Sequence, residues 1–220
     1  MERLRRQILR ALLHGPATFW QLVSLQDGDL AAFAGTLEEM ARQGLLEYTT
    51  DGALALSPEG RRQASGLLPR QEWECPACEG KGMVPRGLFA RVLPEWEALA
   101  ASRPAPSLNF DQGYIGARDA LARVLFMYRR ADLEGRSLLF LGDDDLTSLA
   151  AGLTGLAGEI RVLEIDSRLV EFLNRTARSR GWANFRAETY DVQEPLPENY
   201  CRRFDAVLTD PVETRQGFLL

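Results

Sequence analysis

The stretch Ser137-Leu138-Leu139-Phe140-Leu141-Gly142-Asp143-Asp144-Asp145-Leu146 is a short apolar run that stops at a glycine and three successive aspartates. Its length and composition predict a buried strand ending at Gly142. The texture around it alternates. A helix over Ala117–Arg130 precedes it, with Leu121, Val124, Leu125 and Tyr128 on one side. A helix at about 146–156, a strand Ile160–Ile165, a helix over 168–180, a strand Phe185–Ala187, a loop to Pro197 and a strand Ala206–Thr209 follow, the last ending at Asp210. Apolar strands alternating with helices predict an α/β fold whose parallel sheet is covered on both faces.

Ligands of such sheets bind beyond the carboxyl ends of the strands. That rule gathers Gly142–Asp145, Glu164–Asp166, Tyr190–Asp191 and Asp210–Thr214 along one rim. A dinucleotide-binding turn would read G-x-G-x-x-G, letting backbone amides approach a pyrophosphate. Here Asp143, Asp144 and Asp145 stand in its place and would repel phosphate, which disfavours NAD, FAD and nucleotide polyphosphates. A cationic ligand, a sulfonium or an amine, is favoured instead. Helix capping accounts for one such aspartate, not for three at a ligand-facing turn. An acid about 20 residues beyond the first turn can grip a ribose diol; Glu164 is the first candidate and Asp166, which also suits a helix N-cap, the second. Asp191 falls where an adenine amino group would be read. The turn Asp210-Pro211-Val212-Glu213-Thr214 holds a carboxylate on a stiff bend and resembles the D-P-P-Y turn that orients the amine in amino-group methyltransferases.

Bulk properties narrow the classes further. The 220 residues are 45% hydrophobic and 26% charged, enough for one large domain or two smaller ones. No run approaches the roughly 18 apolar residues of a membrane span, and the N-terminus lacks a signal-peptide core, so a cytoplasmic protein is expected. The net charge of −5 argues against a nucleic-acid partner. His14 is the single histidine, which excludes histidine triads within this chain.

Residues 1–68 have a pattern of their own: helices at about 2–14, around Phe19–Leu25 and over Asp29–Gln43, then two short strands around Asp51-Gly52, then a helix opened by Ser57-Pro58. Leu30, Phe33, Leu37 and Met40 form the apolar face of the third helix. Three helices and a hairpin suggest a small winged-helix domain. Its third helix carries Asp29, Glu38 and Glu39, which would face DNA phosphate unfavourably, so an interaction or dimerisation module is the expectation. Residues 69–108 read as a connector rich in Pro, Gly, Arg and Trp. Its Cys75-Pro76-Ala77-Cys78 knuckle is half of a zinc ribbon, and a tetrahedral site needs four ligands. A degenerate knuckle, a metal shared between subunits, a ligand supplied from further along a longer chain, and two plain thiols all remain open.

At this point a resemblance becomes specific. The run Asp111-Gln112-Gly113-Tyr114, the helix end Tyr128-Arg129-Arg130-Ala131-Asp132-Leu133-Glu134-Gly135, the block from Leu139 to Ser148 and the Asp210–Thr214 turn together resemble the branched-chain polyamine synthases, N(4)-bis(aminopropyl)spermidine synthases of thermophilic archaea and bacteria. The resemblance implies a Rossmann-like, S-adenosyl-type domain over 109–220, preceded by the winged helix. It implies decarboxylated S-adenosylmethionine as co-substrate, spermidine as polyamine acceptor and a homodimer or larger assembly. Asp144 and Asp210 become the catalytic candidates beside the reacting nitrogen. Asp145 is expected to hold the donor's terminal amine, and Asp143 and Glu213 the acceptor's ammonium groups. Gln112 and Tyr114 are further substrate-binding candidates, with Gly142, Glu164, Asp166 and Asp191 around the nucleoside. Val212 departs from the D-P-P-E-T of the family. The family's sheet also continues past the point where this chain stops, which suggests a fragment or a truncated gene whose open apolar edge would favour association.

Two rival readings stand beside this one. An S-adenosylmethionine-dependent amine methyltransferase would share the scaffold and the Asp-Pro turn without needing three successive carboxylates. A winged-helix regulator with an inactive sensor domain would retain DNA on salt-dependent chromatography.

Overall fold

Local capping chemistry starts the helices where the sequence changes character. In the computed structural model, which describes residues 2–26, 28–67 and 83–211, Thr18 and Gln21 form a reciprocal capping box at the head of α2 (Phe19–Val23). Asp29 accepts from the Ala32 amide at the head of α3 (Leu30–Arg42). Ser57 accepts from the Gly60 amide at the head of α4 (Pro58–Ala64), with proline at the first helical position. Together with α1 (Glu2–Leu12) and the antiparallel pair β1 (Leu46–Tyr48) and β2 (Leu54–Leu56), these make the first of two compact units. Its core joins Ile8, Leu12, Leu22, Phe33, Met40, Leu45 and Leu56, all buried. The expected apolar face of α3 holds for Phe33, Leu37 and Met40. Leu30 instead lies half exposed in the first helical turn, short of that core.

The second unit contains α5 (Leu88–Ala101), α6 (Ala117–Arg129, up to Tyr128), β3 (Ser137–Leu141), α7 (Thr147–Thr154), β4 (Glu159–Glu164), α8 (Ser167–Ser179), β5 (Phe185–Thr189) and β6 (Ala206–Thr209). The 69–108 stretch is therefore not connector throughout. Phe89, Val92, Leu93, Trp96 and Ala100 recur at helical spacing and are buried, and their burial outweighs the hydrogen bond that Pro94 removes inside α5. α5 packs against α7, and the Trp96 indole donates to the Ala117 carbonyl at 2.6 Å.

The four strands are parallel, in the order β5-β4-β3-β6. Leu141 is in register with both Leu163 and Thr209, so β3, β4 and β6 end at one level. The chain starts at β3, moves outward through β4 and β5, then returns to the other side of β3 as β6. That reversal is a topological switch point, and the crevice beyond it is where open α/β sheets place their ligands. The ends of β3 and β6 form its two banks.

Candidate active site

Gly142 turns the chain off β3 with φ +70° while its amide donates to the Leu163 carbonyl at 2.8 Å. Nothing lies near where a side chain would project, so backbone conformation, not crowding, calls for glycine there. The three aspartates that follow meet three different environments.

Asp143 is 3% exposed and accepts from the Ser148 hydroxyl at 2.5 Å and from the Ser148 amide. Burial pushes its carboxyl well above the ordinary aspartate range. Its carboxyl group is thus engaged at the start of α7. Asp144 is partly buried and accepts from the Gly113 amide at 3.2 Å. Burial, reinforced by the Asp145 charge beside it, pushes its carboxyl up to about 6. Asp145 is buried; one oxygen accepts from the Ile115 amide at 2.8 Å and the other from Arg123 Nη1 at 2.9 Å. Arg123 Nη2 then reaches Asp210 at 2.7 Å across the switch point. Asp210, after β6, is 58% exposed.

Glu164 ends β4 buried, with one carboxylate oxygen on the Asp143 amide at 2.7 Å and the other on the Asp166 amide at 2.9 Å. A carboxylate offers about four acceptor positions, so two remain for a ligand. Asp166 caps α8 through the Arg168 amide and pairs with the Arg168 guanidinium at 2.6 Å. That hydrogen-bonded pair, helped by Gln112, holds its carboxyl down at about 2. Asp191 follows β5 and accepts from the Gln193 amide at 2.9 Å.

The segment before α6 closes over this rim. Gln112 is buried, accepts from the Ser107 amide and donates to Asp166 at 3.0 Å. Tyr114 donates its hydroxyl to the Pro104 carbonyl, and the Arg103 guanidinium lies 3.7 Å from its ring centre. The polar atoms of both side chains are therefore engaged within the protein. Glu213, Cys75 and Cys78 lie outside the described residues; Cys201 is exposed and unbridged. Among the described residues no three His, Cys, Asp or Glu side chains are arranged to hold a metal.

Sequence reasoning missed Arg123, Gly113, Ile115 and Ser148. Gly113 and Ile115 act through backbone amides, which leave no signature in side-chain identity, whereas Ser148 adds its hydroxyl. Arg123 leaves one: it lies beside the apolar stripe of Leu121, Val124, Leu125 and Tyr128, at its edge.

Comparison with known proteins bears on this geometry directly. The family model "Branched-chain polyamine synthase A C-terminal domain" matches residues 91–220. N(4)-bis(aminopropyl)spermidine synthase of Thermus thermophilus is 40% identical over 214 residues, covering 96% of this chain and 60% of that protein. The enzyme of the same name from Thermococcus kodakarensis is 33% identical over 215 residues, covering 97% and 60%. The chain thus spans about three fifths of the length of these relatives. The crystal structure of the Thermus thermophilus branched-chain polyamine synthase, in complex with N4-aminopropylspermidine and 5'-methylthioadenosine, superposes with a TM-score of 0.61 at 38% identity, covering 98% of this chain and 60% of that one. With more than half its length matched by the family model, and with the acid turn and Asp-Pro turn on facing banks of one crevice, the chain belongs to the branched-chain polyamine synthase family.

Proposed function

We propose that this chain supplies the donor site and the reacting carboxylates of an aminopropyltransferase. The reaction moves aminopropyl groups from decarboxylated S-adenosylmethionine to the internal amine of spermidine, giving a branched polyamine and methylthioadenosine. The observation that carries the reading is the placement of Asp144 and Asp145 on one bank of the switch point and Asp210 on the other. The relatives' names and the two molecules bound in the Thermus thermophilus enzyme support the same chemistry.

The amine lone pair forms a bond to the propyl carbon attached to sulfur. The carbon–sulfur bond breaks, its electron pair stays on sulfur, and positive charge passes from sulfur to nitrogen. Carboxylates fixed around that nitrogen interact more strongly with the transition state than with the neutral amine. The acceptor arrives mostly as an ammonium and must lose a proton. Asp144, whose carboxyl titrates at about 6, is the group assigned to accept and release it. Asp210 orients the nitrogen, Asp145 faces the donor's amine and Glu213 an acceptor ammonium. Glu164 holds the ribose, with Asp191 at the adenine and Asp166 supporting Glu164's loop. Gln112 and Tyr114 shape the wall through the 103–115 segment, and Asp143 orders the turn.

We assign residues 1–68 to a winged helix, on the strength of three helices followed by a hairpin. The outer face of α3 presents Glu38, while Arg42 is paired with Glu39 at 2.5 Å. That face favours a protein contact over DNA, consistent with a homo-oligomer. Of the alternatives open for Cys75 and Cys78, a metal knuckle is the one that zinc content in purified protein tests.

The deciding experiment incubates the full-length protein with spermidine and either decarboxylated or intact S-adenosylmethionine, followed by mass spectrometry. Aminopropylated spermidine and methylthioadenosine are expected from the decarboxylated donor alone. Methylated polyamine from the intact donor, or no product from either, would overturn the proposal.

A further inference from the structure

The carboxylate cluster poses a problem that proton transfer to Asp144 meets only in part. Anionic groups around a docked amine hold it as an ammonium, which has no lone pair to attack with. Asp144, Asp145 and Asp210 converge on the crevice, and the charged groups acting on them include Asp143 beside Asp144, Glu164 at the end of β4, Arg103 on the Asp144 carbonyl, and Arg123. Arg123 is the cation that spans the two banks. We propose that Arg123 is a positioning residue: its guanidinium bridges Asp145 and Asp210, fixes the two carboxylates across the crevice, and biases the docked amine toward its neutral, nucleophilic form.

Three observations support this. Arg123 stands on α6, outside both catalytic turns, so it can hold both without belonging to either. Its two terminal nitrogens contact different carboxylates, at 2.9 and 2.7 Å, a geometry a planar fork supplies and a lysine cannot. Asp145 keeps only 6% of its side chain exposed and adjoins Asp144, so the Arg123 guanidinium is the charge that offsets two neighbouring carboxylates there. Asp210, by contrast, is 58% exposed. An ion pair that open adds little stability. Its use is orientation, fixing one oxygen of Asp210 and leaving the other for the amine. A guanidinium cannot give up its proton in this pH range, so the bias persists through turnover.

The inference rests on the aminopropyltransferase reading, and the test separates the two. The pH dependence of kcat/KM for spermidine is measured on the full-length protein and on R123M and R123K, with folding checked by circular dichroism and R123Q as a second neutral variant should R123M fail to fold. The neutral variants are expected to lose about 100-fold in kcat/KM and to move the acidic limb up by about one pH unit, since carboxylate and amine protons are both held more tightly. R123K restores the charge but not the fork, so its limb stays near that of the unsubstituted protein while kcat falls about tenfold. A neutral variant with an unmoved acidic limb would overturn the role assigned to Arg123, whatever its loss of rate. Absence of aminopropyl transfer in the unsubstituted protein would instead sink the parent reading.

Discussion

Asp143, Asp144 and Asp145 are chemically identical and consecutive, yet burial and partners give them separate tasks. The sequence reading expected cation-binding chemistry of the run. Which member engages the first turn of α7 was not legible there, because that depends on how the turn packs against Ser148 and Glu164. Asp144→Asn is expected to reduce aminopropyl transfer at least 100-fold while leaving methylthioadenosine binding within about tenfold, because an amine contact is lost and the nucleoside site is not. The same substitution has a signed effect on stability. The folded carboxyl titrates at about 6 against 3.8 for the free group, so between those values the folded state holds a proton the unfolded state has released. Stability therefore falls as pH rises through that window. Asp144→Asn removes the fall and, allowing for partial exposure, should stabilise the protein at pH 7 by about 1–2 kcal/mol. Thermal melts between pH 4 and pH 7 would show it; parallel curves for both proteins would refute the burial argument. Glu164→Gln should weaken methylthioadenosine binding by roughly 1.5–3 kcal/mol, the contribution of hydrogen bonds to a charged group. An unchanged dissociation constant in calorimetry would move the ribose contact to another side chain.

At the scale of elements, alternation of apolar runs and amphipathic stretches was enough to read β3, β4, β5, β6, α6, α7 and α8, with ends differing by one or two residues. α5 was obscured. Its apolar spacing from Phe89 to Ala100 is regular, but Pro94 sits in the middle and the surrounding glycines and prolines read as a linker. Tertiary burial overrides the local penalty, and Trp96 at the centre of that face is fully buried with its indole N–H satisfied by Ala117. Trp96→Phe removes the donor and part of the buried volume. It should cost about 2 kcal/mol, the sum of one lost hydrogen bond and a small cavity. Urea denaturation followed by circular dichroism measures it. A midpoint equal to that of the parent would mean that α5 contributes little to the unit that carries the site.

At the scale of the whole chain, the sequence suggested a change of texture after residue 68; the described residues fall into two compact units, and α5, which went unread, lies in the second. The N-terminal segment closes its own core: Leu4, Ile8 and Leu12 from α1, Leu22 from α2, Phe33, Leu37 and Met40 from α3, and Leu45, Leu54 and Leu56 around the hairpin. Its helices carry their own caps at Thr18, Asp29 and Ser57. A segment with a closed core and satisfied helix starts has what folding alone requires, although about 70 residues leave little surplus of buried surface over chain entropy. Residues 1–72 expressed alone should therefore unfold cooperatively on heating, with a stability of only about 2–5 kcal/mol. Far- and near-ultraviolet circular dichroism should report coincident transitions, the near-ultraviolet signal coming in part from the Trp20 and Phe33 rings, each of which contacts Phe19. Helical far-ultraviolet signal without a near-ultraviolet transition would describe a collapsed but unpacked chain. The core assembled from these ten residues would then be insufficient by itself, and the independence inferred from their contacts would be wrong.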